Sequence, residues 1–205
     1  MLKKLSFADS FSILNGLFGL LSIATRNFLS LSFILLAVLA DGMDGIIARK
    51  YGSRIAIIDE FADIVSFCIA PIIFIFNKYG KNIILISLSA LYLIAGILHL
   101  INYHFSKKNY FIGITTPASA IIIATISFLS MHVYILFIAT IILSFLMISP
   151  VLYPRIEKKF SFIATIIIFL AIFLGWKNEI FIYILLFATI LYAIVGPLYI
   201  KIIQK

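Results

Sequence analysis

The sequence predicts an all-α protein: a polytopic membrane bundle of about eight spanning helices, one domain over residues 1–205, with both termini cytoplasmic. Three observations carry this expectation. Of 205 residues, 64% are hydrophobic and 12% charged, against about half and a quarter in a soluble domain. The apolar residues run in blocks close to the roughly 20 residues of a bilayer span, not in one-sided stripes. Lys and Arg fall in the short connections and alternate between two sides.

The first block, near 10–25, follows Asp9 and contains Asn15, Gly16 and Gly19. Asp9 suits a helix cap or a substrate contact, and Asn15 a bond to another helix or a ligand site. Gly16 and Gly19, at i and i+3, suit packing. Blocks two and three, 29–48 and 57–76, are joined by a short connection and must be antiparallel neighbours. Block four, 82–103, carries His99, which suits either a packed polar residue or an acceptor pocket.

The last four blocks lie near 115–130, 132–149, 160–175 and 179–202. They hold almost no ionisable groups inside and read as lipid-facing and dimer-packing scaffold. Pro150, Pro154 and Pro197 mark ends or kinks. The split at Ser130–His132 decides the count, because one long kinked segment there would give seven spans. The single cysteine, Cys68, excludes an internal disulfide and a Cys-based metal cluster. No cleavable signal is expected at the N-terminus.

With eight spans, Lys3, Lys4, Arg49, Lys50, Arg54, Lys107, Lys108, Arg155, Lys158, Lys159, Lys201 and Lys205 share the side of the termini. Arg26, Lys78, Lys81 and Lys177 take the other. Lys and Arg mark cytoplasmic loops, so the expectation is a multi-pass cell-membrane protein whose basic side faces the cytoplasm. The net charge of +8 is then a topology signal, aided by attraction to anionic headgroups. No soluble segment is long enough for a nucleic-acid-binding domain.

The chain has 8 acidic residues, and Asp41, Asp44, Asp59, Glu60 and Asp63 crowd one stretch. An acid within a span costs about 2.5–3.5 kcal/mol on insertion scales and normally faces the bundle interior. Asp41, Asp44, Gly45 and Ala48 share one helical face, and Asp59 and Asp63 stand i, i+4 on the next helix. The two helices can therefore bring four carboxylates to one pocket near the cytoplasmic end. Such a group would not stay ionised without neutralisation. Two divalent cations would supply it, and all-oxygen ligands favour Mg²⁺ or Mn²⁺, with Ca²⁺ admissible, over Zn²⁺. Paired metals on carboxylates serve phosphoryl transfer. Gly42 and Gly45 leave room for a ligand, and Arg49 can grip a phosphate.

The run Asp41-Gly-Met-Asp44-Gly45-Ile-Ile-Ala48-Arg49, followed by Asp59-Glu-Phe-Ala-Asp63, resembles the signature of the CDP-alcohol phosphotransferases, D-x-x-D-G-x-x-A-R and then G-x-x-x-D-x-x-x-D. The spacer is a few residues short, and Ile55 stands where that pattern has its second Gly. Asp63-Ile-Val-Ser-Phe-Cys-Ile-Ala-Pro71 and Phe111-Ile-Gly113-Ile-Thr-Thr-Pro117-Ala118 resemble stretches of the phosphatidylserine synthase subgroup. An Arg that the subgroup has near the end of the fourth span is absent from His99-Leu-Ile-Asn102-Tyr-His104.

The resemblance implies that Asp41, Asp44 and Asp59 bind the metals and that Asp63 is the general base, with a metal contact of its own. It assigns Gly45, Ala48 and Arg49, with Asn15, to the CDP site. Arg54, His99, Lys107 and Lys108 are candidates for phosphate or acceptor. The implied donor is CDP-diacylglycerol or CDP-archaeol, the favoured acceptor L-serine, the product CMP, and the assembly a homodimer. Inositol phosphate or glycerol phosphate as acceptor, an inactive membrane scaffold, and a cation transporter are the competing readings.

The charge alternation makes a direct prediction. In a Cys68→Ala background, cysteines introduced for Lys81 and Lys177 will react with a membrane-impermeant maleimide on intact cells, and one introduced for Lys50 will react only after permeabilisation.

Overall fold

A computed structural model describes residues 5–51, 55–105, 110–154 and 158–203, apart from the side chains of 49, 50, 103–105, 158, 159, 202 and 203. The helices are α1 (Phe7–Ala24), α2 (Asn27–Tyr51), α3 (Ala56–Asp63), α4 (Ala70–Tyr79), α5 (Ile83–Phe105), α6 (Thr116–Phe128), α7 (Val133–Ile148), α8 (Lys158–Leu174) and α9 (Ile180–Ile203). A π-helical stretch, Ile64–Ile69, joins α3 to α4 without leaving the helical region. Residues 56–79 are thus one rod, and the described bundle has eight rods, as expected.

Two short strands were not anticipated. β1 (Tyr110–Ile112) pairs antiparallel with β2 (Leu152–Pro154), setting Tyr110 opposite Pro154 and Phe111 opposite Tyr153. This ribbon decides between one kinked segment and two helices here. It ties the connection before α6 to the one after α7, so these two helices run out and back. Between them Ser130 adopts a left-handed φ of 50° and ends the helix. At the opposite end, the Tyr79 hydroxyl donates to Met131 O at 2.8 Å, linking the end of α4 to the α6–α7 turn.

Helices α1, α2, α5 and α9 are long and apolar enough to cross a bilayer. Helix α6 has 13 residues, about 20 Å at 1.5 Å per residue, well short of a typical hydrocarbon core. It is also the most enclosed helix: Thr116 and every residue from Ala118 to Ser127 are buried. One side contributes Ile122, Ile123 and Ile126 to a core with Tyr92, Leu136 and Met147. The other contributes Ala120, Ile121 and Ala124 to a core with Leu31, Leu35 and Phe67. The expectation of a lipid-facing fifth span is therefore corrected. A helix wrapped by its neighbours needs no apolar outer face, and small residues such as Ala118, Ser119, Ala120 and Ala124 allow close approach. Phe145, Phe162, Phe173, Phe187 and Ile194 of α7, α8 and α9 lie exposed on the outside, the surface a multi-pass protein offers to lipid.

Helix α1 packs along α2 and α3, and its glycines set that spacing. A Cβ on Gly16 would rest against Ala62, and one on Gly19 would overlap Ser66 Oγ, Cα and N. Because the obstacle at Gly19 includes backbone, a side chain forces the helices apart. Gly19→Leu should lower the melting midpoint in detergent by about 3–10 °C, measured by thermal unfolding, whereas Gly42→Ala, at a helical position with open space, should hold it or raise it by about 1–4 °C.

Candidate active site

Helices α1, α2 and α3 meet where the acids lie. The early turns of α1 supply donors, the late turns of α2 supply Asp41 and Asp44, and α3 supplies Asp59 and Asp63. One carboxylate oxygen from each of Asp41, Asp44 and Asp59 lies within 4.8 Å of the others. Asp44 is 0% exposed, Asp59 and Asp63 are buried, and Asp41 is half-buried at the mouth. The antiparallel rods and the helical spacings bring together Asp41, Asp44 and Asp59, three of the four carboxylates expected at one pocket. Asp63, one turn beyond Asp59, is not one of the trio.

Helix α1 serves this cluster with a polar face. Ser12 Oγ donates to Asp44 Oδ2 at 2.7 Å, and Asn15 Nδ2 donates to Asp63 Oδ1 at 2.8 Å. Bonds of this kind fix a carboxylate's rotamer. Asn15 Oδ1 is buried without a hydrogen-bond partner among the described residues, an acceptor held beside the acids. Asn15 therefore bonds across helices, the first of its two alternatives.

Asp9 has the capping role. Ser6 and Asp9 form a reciprocal capping box at the start of α1. Asp9 Oδ1 also accepts the Ile55 N–H at 2.7 Å, pinning the start of α3 to the start of α1. Ile55 sits at φ −89°, ψ 97°, a conformation open to any L residue. Isoleucine in place of the motif's glycine thus strains nothing in the backbone there.

Gly45 and Ala48 continue the face of Asp41 and Asp44, both half-buried. Arg49 occupies the same stretch of α2, but its side chain, with all of Arg54, Lys107 and Lys108, lies outside the described residues. His99 is buried and its Nδ1 meets Met147 O at 2.9 Å, bonding α5 to the end of α7. Its ring is not among the atoms gathered with the three aspartates.

Two polar residues escaped the sequence reading. Ser12 lies three residues from both Asp9 and Asn15, on their helical face, so the spacing could have flagged it. Ser66 donates to Asn15 O at 2.8 Å across the gap that Gly19 leaves, and only the packing shows this.

The sequence profile of the CDP-alcohol phosphatidyltransferases matches residues 4–152, from α1 into β2. The chain belongs to the CDP-alcohol phosphatidyltransferase family. It is 33% identical over 174 residues to the CDP-diacylglycerol–serine O-phosphatidyltransferase of Methanocaldococcus jannaschii, across 83% of this chain and 85% of that protein. It is 35% identical over 170 residues to the archaetidylserine synthase of Methanothermobacter thermautotrophicus, across 75% and 71%. A Bacillus subtilis CDP-diacylglycerol–serine O-phosphatidyltransferase is 31% identical over 151 residues, across 70% and 85%.

This phosphatidyltransferase thus gathers Asp44 and Asp59, both buried, with half-buried Asp41 into an all-oxygen donor set, which fits a hard divalent cation. Loss of the Ser12 hydroxyl should release the Asp44 carboxylate. Ser12→Ala should weaken Mn²⁺ binding about tenfold, read by electron paramagnetic resonance titration of the purified protein, while Ser89→Ala, on α5, should leave it unchanged.

Proposed function

We propose that this chain transfers a phosphatidyl or archaetidyl group from a CDP-linked lipid, CDP-diacylglycerol or CDP-archaeol, to the hydroxyl of L-serine and releases CMP. The observation that carries the reading is the convergence of Asp41, Asp44 and Asp59 within 4.8 Å, next to Asp63 and its Asn15 partner. Asp41, Asp44 and Asp59, with Asp63 at the edge, would hold two divalent cations, Mg²⁺ or Mn²⁺. When bound, the cations neutralise the pyrophosphate oxygens and the charge developing on CMP.

The chain's own groups divide the remaining work. Gly45 and Ala48 carry no bulky side chain and leave the α2 face open to the nucleotide. Arg49 pairs with a phosphate, and Asn15 Oδ1 is a buried acceptor open to a donor on the substrate. Asp63 takes the proton of the attacking hydroxyl, and the Asn15 amide keeps its carboxylate from turning away. Burial of Asp44, Asp59 and Asp63 keeps bulk water from competing as the nucleophile.

Serine is favoured because the relatives above bear serine-synthase names and because the stretches after Asp63 and around Gly113 resemble that subgroup. The bond of His99 to Met147 O occupies Nδ1 alone, so its Nε2 remains a candidate for the acceptor, together with the Lys107–Lys108 pair. The basic residues at the site's end of the bundle support a cytoplasmic active site. A homodimer in the bilayer is the family expectation we adopt.

The test is CMP release by purified protein with a CDP-lipid and a panel of serine, inositol phosphate and glycerol phosphate. Serine should give the fastest release, chelation should abolish it, and Mn²⁺ should restore it. Asp63→Asn should cost at least about 100-fold in kcat with the protein still folded. Absence of CMP release with every acceptor would contradict the reading.

A further inference from the structure

We propose that Tyr92 is a positioning residue for the transfer reaction: its hydroxyl replaces the backbone N–H that Pro71 lacks and so holds the helical register beneath Asp63. The inference rests on the reading of Asp63 as the reaction's base.

In an α-helix the carbonyl of Phe67 would accept the N–H of residue 71. That residue is Pro71, which has no N–H and whose ring crowds the carbonyl four residues back. The rod answers by widening. Residues Ile64–Ile69 form a π-helix, in which the Ala70 N–H reaches back five residues to Val65 O. Where α register resumes at Ala70, Pro71 offers the Phe67 carbonyl no N–H, and a carbonyl short of a donor inside an apolar bundle is costly. Tyr92, on α5 and 1% exposed, donates its hydroxyl to Phe67 O at 2.9 Å. The same bond satisfies a buried phenol that would otherwise need a partner of its own.

The widened turn sets the site. Directly within it, Ser66 donates to Asn15 O, and Asn15 donates to Asp63. A contiguous path therefore runs from Tyr92 through Phe67 and Ser66 to Asn15 and the base. Return to α register removes one residue from the turn and rotates the Asp63 end of the rod by about 100° against the Pro71 end. Ser66 and Asp63 could not then both keep their partner on α1. Tyr92 touches no reacting group; it acts through the backbone.

The test is a cycle of Tyr92→Phe and Pro71→Ala, read by melting midpoint in detergent and by kcat and KM. Tyr92→Phe should lower the midpoint by about 3–9 °C in the parental chain but not in the Pro71→Ala background, where residue 71 regains an N–H for Phe67. Its kcat should fall about tenfold or more, with KM for the CDP-lipid changed less than about twofold. The double variant should melt like the parent yet stay slow, because nothing then enforces the register. An equal loss of melting temperature in both backgrounds, a parental kcat in Tyr92→Phe, or full recovery of kcat in the double variant would overturn the proposal. If the parental chain itself releases no CMP, the functional reading fails, and the melting cycle alone still decides whether Tyr92 stands in for the proline's missing donor.

Discussion

Buried charge is the constraint on which the molecule turns. Three aspartates on two adjacent rods are almost sealed from solvent, and ionised carboxylates in such surroundings must be matched by donors or cations. The first helix is shaped to meet this demand. Its Ser12 and Asn15 point inward at successive turns, and its glycines let it lie close enough for hydroxyl and amide to reach the acids. Remove the acids and Ser12 Oγ and Asn15 Nδ2 lose their partners; remove those two side chains and two carboxylates lose a donor.

The rest of the fold holds this arrangement still. Helix α6, too short to need a lipid-facing surface, fills the middle and joins both apolar cores. The β1–β2 ribbon and the Tyr79–Met131 bond brace the two ends of the bundle. Asp9 ties the entry of α1 to the entry of α3, which fixes the relative height of Ser12 and Asn15 against the acids. Where Pro71 interrupts the hydrogen-bond ladder, the chain responds with a wider turn beside Asp63 instead of a free kink.

Much of this was legible in the sequence, for identifiable reasons. Long apolar blocks and alternating basic connections reflect the bilayer's demand for self-satisfied helices, so the rods and their order could be read directly. Carboxylate spacing on a helix is rigid, which is why the meeting of Asp41, Asp44 and Asp59 could be expected, although Asp63, expected with them, is not gathered with the three. The features that could not be read depended on packing between distant segments. The ribbon pairs residues some forty positions apart with no strong strand pattern. The enclosure of α6 arises from helix arrangement, since its composition differs little from that of a lipid-facing span. Ser66 reaches Asn15 only because Gly19 permits it, and the bond from Tyr92 to Phe67 O needs a widened turn that hydropathy does not signal.

The most direct measurement is a structure of the purified protein with Mn²⁺, with the metal located by its anomalous scattering. The account predicts metal density enclosed by the carboxylates of Asp41, Asp44 and Asp59 and lost in Asp44→Asn. Ordered metal elsewhere in the bundle, or those three side chains turned away from it, would contradict it.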